Sequence, residues 1–459
     1  MITRIAIDGF KTFKNFSLDF EPFHVIIGPN ASGKSNLFDA LELLSKLATE
    51  DVLTAFRETR GTESEQFTLL PDGNHSPKMI ITADFLLDKE IEDPYGGKSE
   101  LKYTRLRYGI EITRTDDGLF ITREQLRRIN KSEDIWYDNH LTDSISNDHW
   151  EPEYVGGQSK LIYKSSLKDS NEPVIVLRGK ADKSKPKVFK SSKLKKSVLS
   201  SVSGVEYAHA FAVKKELSQF KFLHLNPDKI RQPSSFLART ELTQEGENVA
   251  AVLNRLNTTN KYLLSDISRD ISNLVPGVLD VRVRRNEPRE QYEIFVKYEG
   301  GSTFSLPLVS EGTLRLLILS VLKNDLRDSQ SIFLEEPENG VHISRLKKLL
   351  KLLSSMTTNF NSEHASHFPL RQLIINTHSI PLVKHLLKNE NLFEEQLPGI
   401  SLAEIFTHID PEKKWKMKIS KMESLTIAYG SIPYYKEEPN YLFSRLERLL
   451  NMENKVNLL

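Results

Sequence analysis

The stretch His24-Val25-Ile26-Ile27-Gly28-Pro29-Asn30-Ala31-Ser32-Gly33-Lys34-Ser35-Asn36-Leu37 constrains this chain more than any other. Val25 to Ile27 is a short apolar run that reads as a buried strand, and Gly28 ends it. From Asn36 to Leu47 apolar residues recur at helical spacing, so Gly28 to Ser35 must join a strand to a helix. Gly-x-x-x-x-Gly-Lys-Ser in that setting is a phosphate-binding P-loop. Glycines at 28 and 33 let the backbone close round a polyphosphate with its N–H groups turned inward. The helix that follows aims the positive end of its dipole at the same place. Lys34 would bring a point charge to the β/γ oxygens, and the Ser35 hydroxyl a ligand for Mg²⁺. The expected nucleotide-binding residues are therefore Gly28, Pro29, Asn30, Ala31, Ser32, Gly33, Lys34, Ser35 and Asn36.

The rest of the composition narrows the class. The chain has 459 residues, long enough for more than one lobe. Its 63 Lys+Arg balance 62 Asp+Glu to a net charge of +1, so contact with nucleic acid would need a local patch. The absence of cysteine excludes disulfides, thiolate zinc sites and cysteine nucleophiles. Met1-Ile2-Thr3-Arg4-Ile5 enters a strand without signal-peptide architecture, and no apolar run reaches membrane-spanning length. The expectation is a soluble cytoplasmic protein with no membrane partner.

Strands are expected at Met1 to Asp8 and Phe16 to Phe20, a helix from Lys34 to Leu47, and a polar stretch from Ala48 to Lys78. Met79 to Leu87 and Tyr103 to Thr113 alternate as strands, and Gly118 to Ile121 pairs back as a hairpin. From about Arg128 to Ser203, Asn, Asp, Ser and Lys dominate, with short strand-like pieces at Lys160 to Tyr163 and Val174 to Leu177. Within it, Arg178 to Lys196 carries nine Lys/Arg against Asp182. That run reads either as a nucleic-acid or partner contact or as a solvated loop. Its single aromatic, Phe189, favours the loop. Beyond it come a strand at Phe220 to Leu225, a turn at Asn226-Pro227-Asp228, helices at Val249 to Leu256 and Tyr262 to Leu274, and a hairpin of Val281–Arg285 with Tyr292–Tyr298.

Three later motifs complete the pattern. Val309-Ser310-Glu311-Gly312-Thr313-Leu314-Arg315 precedes an apolar helix. Ser331-Ile332-Phe333-Leu334-Glu335-Glu336-Pro337-Glu338-Asn339-Gly340-Val341-His342 runs a buried strand straight into carboxylates, followed by a helix from Ser344 to Ser355. Gln372-Leu373-Ile374-Ile375-Asn376-Thr377-His378-Ser379 is a third buried strand ending in polar residues. Strand–loop–helix units of this kind imply an α/β core with a largely parallel sheet. Ser310 lies 25 residues before Glu335, and His378 lies 42 after Glu336.

That order resembles the ABC-class ATPase heads, with Walker A, signature, Walker B, D-loop and switch histidine. Ile7-Asp8-Gly9-Phe10-Lys11, Glu245-Gly246-Glu247-Asn248, Ser310 to Arg315, Glu335 to His342 and Thr377-His378-Ser379 are similar to one AAA branch. It is the predicted prokaryotic ATPases grouped with the OLD (overcoming lysogenisation defect) family, which include ATPase subunits of anti-phage systems such as PARIS and Septu. The resemblance covers residues 1 to about 90 and 205 to about 390. It implies an ABC-type P-loop head divided as 1–95, a strand-containing insert at 96–204, the head again at 205–395, and an extension at 396–459. It also implies ATP and Mg²⁺ as ligands. Glu335 would reach Mg²⁺ through water, Glu336 would act as general base, and His378 would contact the γ-phosphate. Ser310 and Gly312 would contact the nucleotide of a second copy in a head-to-tail homodimer or larger homo-oligomer. Two departures stand out: Glu335 replaces an aspartate, and His342 replaces the D-loop aspartate.

OLD nucleases carry a TOPRIM domain that needs an Asp-x-Asp pair, whereas Asp410 is the lone aspartate after His378. The expectation is an ATPase without nuclease activity, serving as sensor or scaffold for a separate effector, a nuclease, in prokaryotic anti-phage defence. DNA contact through the basic patch stays open. The alternatives are an SMC-like DNA repair ATPase, which would need sustained heptads between residues 90 and 205, a transporter subunit, and a nucleotide-dependent assembly switch with little hydrolysis.

Overall fold

In the computed structural model, Phe23–Ile27, Arg371–Thr377 and Gln330–Glu335 lie side by side as parallel strands. Lys221–Leu223 adds a fourth beyond Gln330–Glu335, and Gly399–Ile409 a fifth on the far side of Phe23–Ile27. Antiparallel Lys416–Ser424 closes this six-stranded sheet. The described residues are 1–142, 144, 147–154, 160–166, 172–179, 186–191, 193–327, 330–388, 393, 397–409, 416–429, 432–435 and 443–450.

The central strands are apolar on both faces because each face is a separate core. Side chains alternate across a strand. Val25, Ile27, Ile332, Leu334, Leu373 and Ile375 join one hydrophobic cluster with the helices Val249–Thr259, Lys261–Leu274, Glu311–Asn324, Leu346–Ser354 and Ile380–Lys388. Ile26, Phe333 and Ile374 join the other, with the helices Lys34–Leu47 and Ala208–Ser218 and an eight-stranded sheet.

That larger sheet is antiparallel throughout, so the parallel sheet expected from the sequence is only the smaller layer. Its order is Lys187–Lys190, Pro173–Leu177, Lys160–Ser166, Gly118–Arg128, Arg105–Thr115, Lys78–Leu86, Ile2–Asp8, Phe16–Asp19. The strands from Arg105–Thr115 to Lys187–Lys190 therefore continue the ladder that the N-terminal strands begin, with Lys78–Leu86 paired to Arg105–Thr115 along nine register positions. The expected ABC-type P-loop head is what the chain forms: a mixed sheet carrying the loop, covered by helices on one side and by an antiparallel sheet on the other.

Several local expectations are corrected. The basic run is not simply a solvated loop. Lys187–Lys190 pairs with Pro173–Leu177, and Leu194 packs against the core after bridging Ile121. Lys190 meets Glu172 at 3.0 Å, Lys193 meets Asp117 at 2.9 Å, and Lys187 lies over the Tyr207 ring. Residues 180–185 and 192 of that run fall outside the described residues. Asn226 accepts the backbone N–H groups of Asp228 and Lys229 and so caps a one-turn helix, Pro227–Ile230, where a plain turn was expected. A short helix, Val52–Arg57, interrupts the polar stretch after the first helix. Beyond residue 395, where only an extension was expected, two strands of the central sheet appear. Asp410 lies outside the described residues, as do 411–415. No helix among the described residues is long and apolar enough to cross a membrane.

Candidate functional site

The P-loop leaves its strand with the Gly28 N–H bonded to the Thr377 carbonyl at 3.2 Å, so loop and histidine strand are tied where both end. Ala31 (φ 57°) and Gly33 (φ 98°) take left-handed backbone, which curls the loop before the helix Lys34–Leu47 starts. A Cβ on Gly33 would stand 2.1 Å from Ser420 Oγ, and one on Gly28 would stand 2.5 Å from the Ala403 carbonyl oxygen. Both glycines are therefore required by close approach of the two C-terminal strands. Thr12 Oγ1 joins the same contact, 2.7 Å from Ser420 Oγ and accepting from Asn36 Nδ2 at 3.0 Å.

Lys34 is buried, and its Nζ donates to the carbonyls of Gly28 at 2.6 Å and Pro29 at 2.7 Å. Ser32 Oγ is buried with no hydrogen-bond partner among the described residues. Pro29 is half-buried, while Asn30 and Ala31 are exposed at the loop's crest. Ser35 lines a cavity of about 400 Å³ together with Asp39, Arg60, His224 and Glu335. A curled loop with an orphaned hydroxyl, a lysine within it and a hard oxygen pair, Ser35 and Glu335, fits a magnesium nucleotide. Among the described residues no three His, Asp or Glu side chains form a metal-holding group by themselves.

The carboxylates arrive at the C-terminal end of their strand, two strands away. Glu335 Oε1 accepts from Asn376 Nδ2 at 3.1 Å, and its Oε2 stands 3.9 Å from His224 Nδ1. Glu336 has φ +46°, a conformation that non-glycine residues seldom adopt and that strains the backbone. Its N–H is held by the Asn376 carbonyl at 3.1 Å. The turned backbone presents the carboxylate to two partners: Oε1 is 2.6 Å from His378 Nδ1, and Oε2 accepts from Asn339 Nδ2 at 2.7 Å. The structure thus brings Lys34, Ser35, Glu335, Glu336 and His378 to the ends of three adjacent parallel strands.

Ser310 and Gly312 stand with the carboxylate loop. Ser310 is exposed at the N-cap of the helix Glu311–Asn324, with its Oγ 2.9 Å from Thr313 Oγ1. Gly312 is buried against the next turn, where a Cβ would lie 2.1 Å from the Gly340 carbonyl oxygen. His342 caps the turn Ile343–Arg345, its Nδ1 2.8 Å from Ser344 Oγ. Sequence reasoning missed His224, Asn339, Asn376, Ala403 and Ser420. Asn376 and Asn339 had a signal, since each stands within three residues of a motif residue. His224, Ala403 and Ser420 reach the site only through long-range strand pairing.

Comparison with known proteins gives a family match over residues 23–383, to the family described as "AAA domain, putative AbiEii toxin, Type IV TA system". The chain is 30% identical over 173 residues to the chromosome segregation protein sudA of Emericella nidulans. That match covers 37% of this chain and 12% of sudA, so the chain spans about an eighth of the length of that curated relative. Similar solved structures include an SmcHead bound to the C-winged helix domain of ScpA, with 14% identity, 92% of this chain and 98% of that one covered, and a TM-score of 0.49. The SMC head domain from Thermotoga maritima is another, with 11% identity, 92% and 98% coverage, and a TM-score of 0.40.

Proposed function

This chain belongs to the AAA-domain family, a family of ATPases, and from that premise we propose that it binds ATP with Mg²⁺ and hydrolyses it in a head-to-tail homodimer. The observation that carries the reading is the Glu336–His378 pair, 2.6 Å apart beside the P-loop. The loop's N–H groups and Lys34 would hold the phosphates, with Lys34 exchanging its bonds to the Gly28 and Pro29 carbonyls for phosphate oxygens. Ser35 and Glu335 would hold Mg²⁺. The ion, when bound, offsets the negative charge that builds on the phosphoryl oxygens. Glu336 would take the proton of the attacking water. Each of its oxygens has a second lone pair beyond the bond to Asn339 or His378, so both partners can orient the carboxylate without blocking it. Ser310 and Gly312 would complete the site of the second copy.

On family resemblance rather than geometry, the ATP-closed dimer would act as sensor or scaffold for a separate nuclease in prokaryotic anti-phage defence, in the cytoplasm. The repair alternative needs coiled coils between residues 90 and 205. Among the described residues there, the longest helix is Ile135–His140, of six residues. A DNA contact would have to use the basic strand Lys187–Lys190 and its neighbours.

The test is ATP binding and turnover in three proteins. Wild type should hydrolyse ATP, Lys34→Ala should not bind it, and Glu336→Gln should bind without hydrolysis and sediment as a larger assembly when ATP is added. Wild-type turnover in Glu336→Gln would refute the general base. Plasmid DNA incubated with wild type, ATP and Mg²⁺ should stay intact; cleavage that Lys34→Ala lacks would put a nuclease centre in this chain.

A further inference from the structure

After the carboxylate strand the chain turns twice in six residues. Asn339 N–H donates to the Glu336 carbonyl at 3.1 Å, Val341 N–H to the Glu338 carbonyl at 2.9 Å, and Gly340 takes φ 75°. The double turn buries Glu338 to 8% exposure, although this is a loop with solvent at hand. Its Oε1 accepts from the Thr377 hydroxyl, and its Oε2 is buried with no partner among the described residues. Burial pushes this carboxyl above the usual range, partly opposed by the Thr377 bond. A carboxyl in such a place is destabilising by itself, so some other gain must hold it there.

The partner of Glu338 shows where that gain lies. Thr377 Oγ1 also accepts the Ser379 N–H at 2.9 Å. One hydroxyl therefore fixes the residues on both sides of His378, and Glu338 fixes that hydroxyl. The same turn that carries Glu338 also carries Glu336, whose carboxylate meets His378 Nδ1. We infer that Glu338 is a positioning residue that acts through Thr377, locking the peptide of His378 to the loop of Glu336 so that base and histidine stay in register. The inference rests on the ATPase reading above. It assigns Glu338 no contact with nucleotide: without the latch the phosphates are still held, but the base and histidine drift apart.

Four variants test it: Glu338→Leu, Glu338→Gln, Thr377→Val, and Glu338→Leu combined with Thr377→Val. Glu338→Leu and Thr377→Val should each lower kcat about tenfold with the KM for ATP within about twofold, and the double variant should fall no further, because one latch is broken twice. Glu338→Gln keeps an acceptor for Thr377 and should restore at least half of kcat. Amide exchange over residues 376–382 should quicken in Glu338→Leu and Thr377→Val and match wild type in Glu338→Gln. A wild type that turns over ATP while both single variants keep full kcat overturns the latch, as do additive losses or a Gln variant no better than Leu. A wild type without turnover overturns the ATPase reading instead, and the exchange pattern then decides the latch alone. If Glu338→Leu does not fold, Thr377→Val, which keeps the side-chain shape, carries the same comparison.

Discussion

His24 lies in the middle of the P-loop strand's burial, with its Nε2 2.9 Å from Ser401 Oγ and its Nδ1 accepting the Glu21 N–H at 3.3 Å. Protonating Nδ1 would set one N–H against another, and burial pulls the imidazole down to about 4. The unfolded chain takes up that proton near pH 6.5, so between about 6.5 and 4 it binds more protons than the folded chain. Stability from this group is complete above that window and is lost as pH falls through it, reaching about 1 kcal/mol by pH 5.5. His140 acts in the opposite sense. Burial would lower it, but the Glu21 carboxylate at 2.6 Å outweighs burial and raises it, so its stabilisation is present at low pH and lost as pH rises. The test must therefore be a difference. Urea midpoints at pH 7.5 and 5.5 should move further apart in wild type than in His24→Gln, and equal spacing would show that His24 titrates as it does in water. At this scale the sequence was most informative where chemistry is local. Gly28, Gly33, Lys34 and Ser35 could be read because loop, charge and helix follow one another along the chain. Glu338 could not, because its role depends on Thr377, a residue on another strand.

At the scale of elements, the two C-terminal strands change what the P-loop is. Gly399–Ile409 pairs with the loop's own strand, with Ile400 opposite Val25 and Leu402 opposite Ile27, and Lys416–Ser424 brings Ser420 under Gly33. The Ser420 N–H donates to the Thr12 carbonyl at 2.9 Å, so this strand also reaches the turn that follows the first strand. Ser420→Leu should force the loop off its support and strip Thr12 of a hydroxyl partner, weakening ATP affinity about tenfold. Titration with a fluorescent ATP analogue measures this directly; unchanged affinity would mean that the strand only covers the loop. The sequence hid these elements for a physical reason. Lys416-Met417-Lys418-Ile419 alternates as an edge strand does, but alternating lysines also describe a solvated run. Nothing local tells Gly399–Ile409 to pair with a strand at the other end of the chain. The place of the middle segment's strands was hidden for a similar reason. Lys160–Ser166, Pro173–Leu177 and Lys187–Lys190 look isolated in sequence, yet each is a further rung of a ladder begun at Ile2–Asp8.

For the whole molecule, what Ser310 meets is the decisive matter. Ser310 is exposed and is not engaged by capping its own helix. Leu308 before it is 72% exposed, and Ile343, past the carboxylate turn, is 60% exposed. Apolar residues of that size left in solvent on both segments favour a covering surface, and a second copy arranged head-to-tail would supply one. Ser310→Arg should place a bulky cation there while leaving the chain's own Lys34 in place, so that protein should bind ATP but hydrolyse it poorly. Lys34→Ala should be inactive for the complementary reason. In a mixed dimer one site combines both defects and the other combines neither. With random pairing, half of the dimers are mixed and each has one intact site of two, so mixing two inactive proteins should restore roughly a quarter of the wild-type rate. The mixture is first crosslinked to show that heterodimers form, and the rate is then read against each variant alone. Recovery near that fraction requires that each site take its P-loop from one chain and its Ser310 from the other. A crosslinked mixture that stays inactive would mean that the two sites do not work independently, and the head-to-tail division of labour would have to be given up.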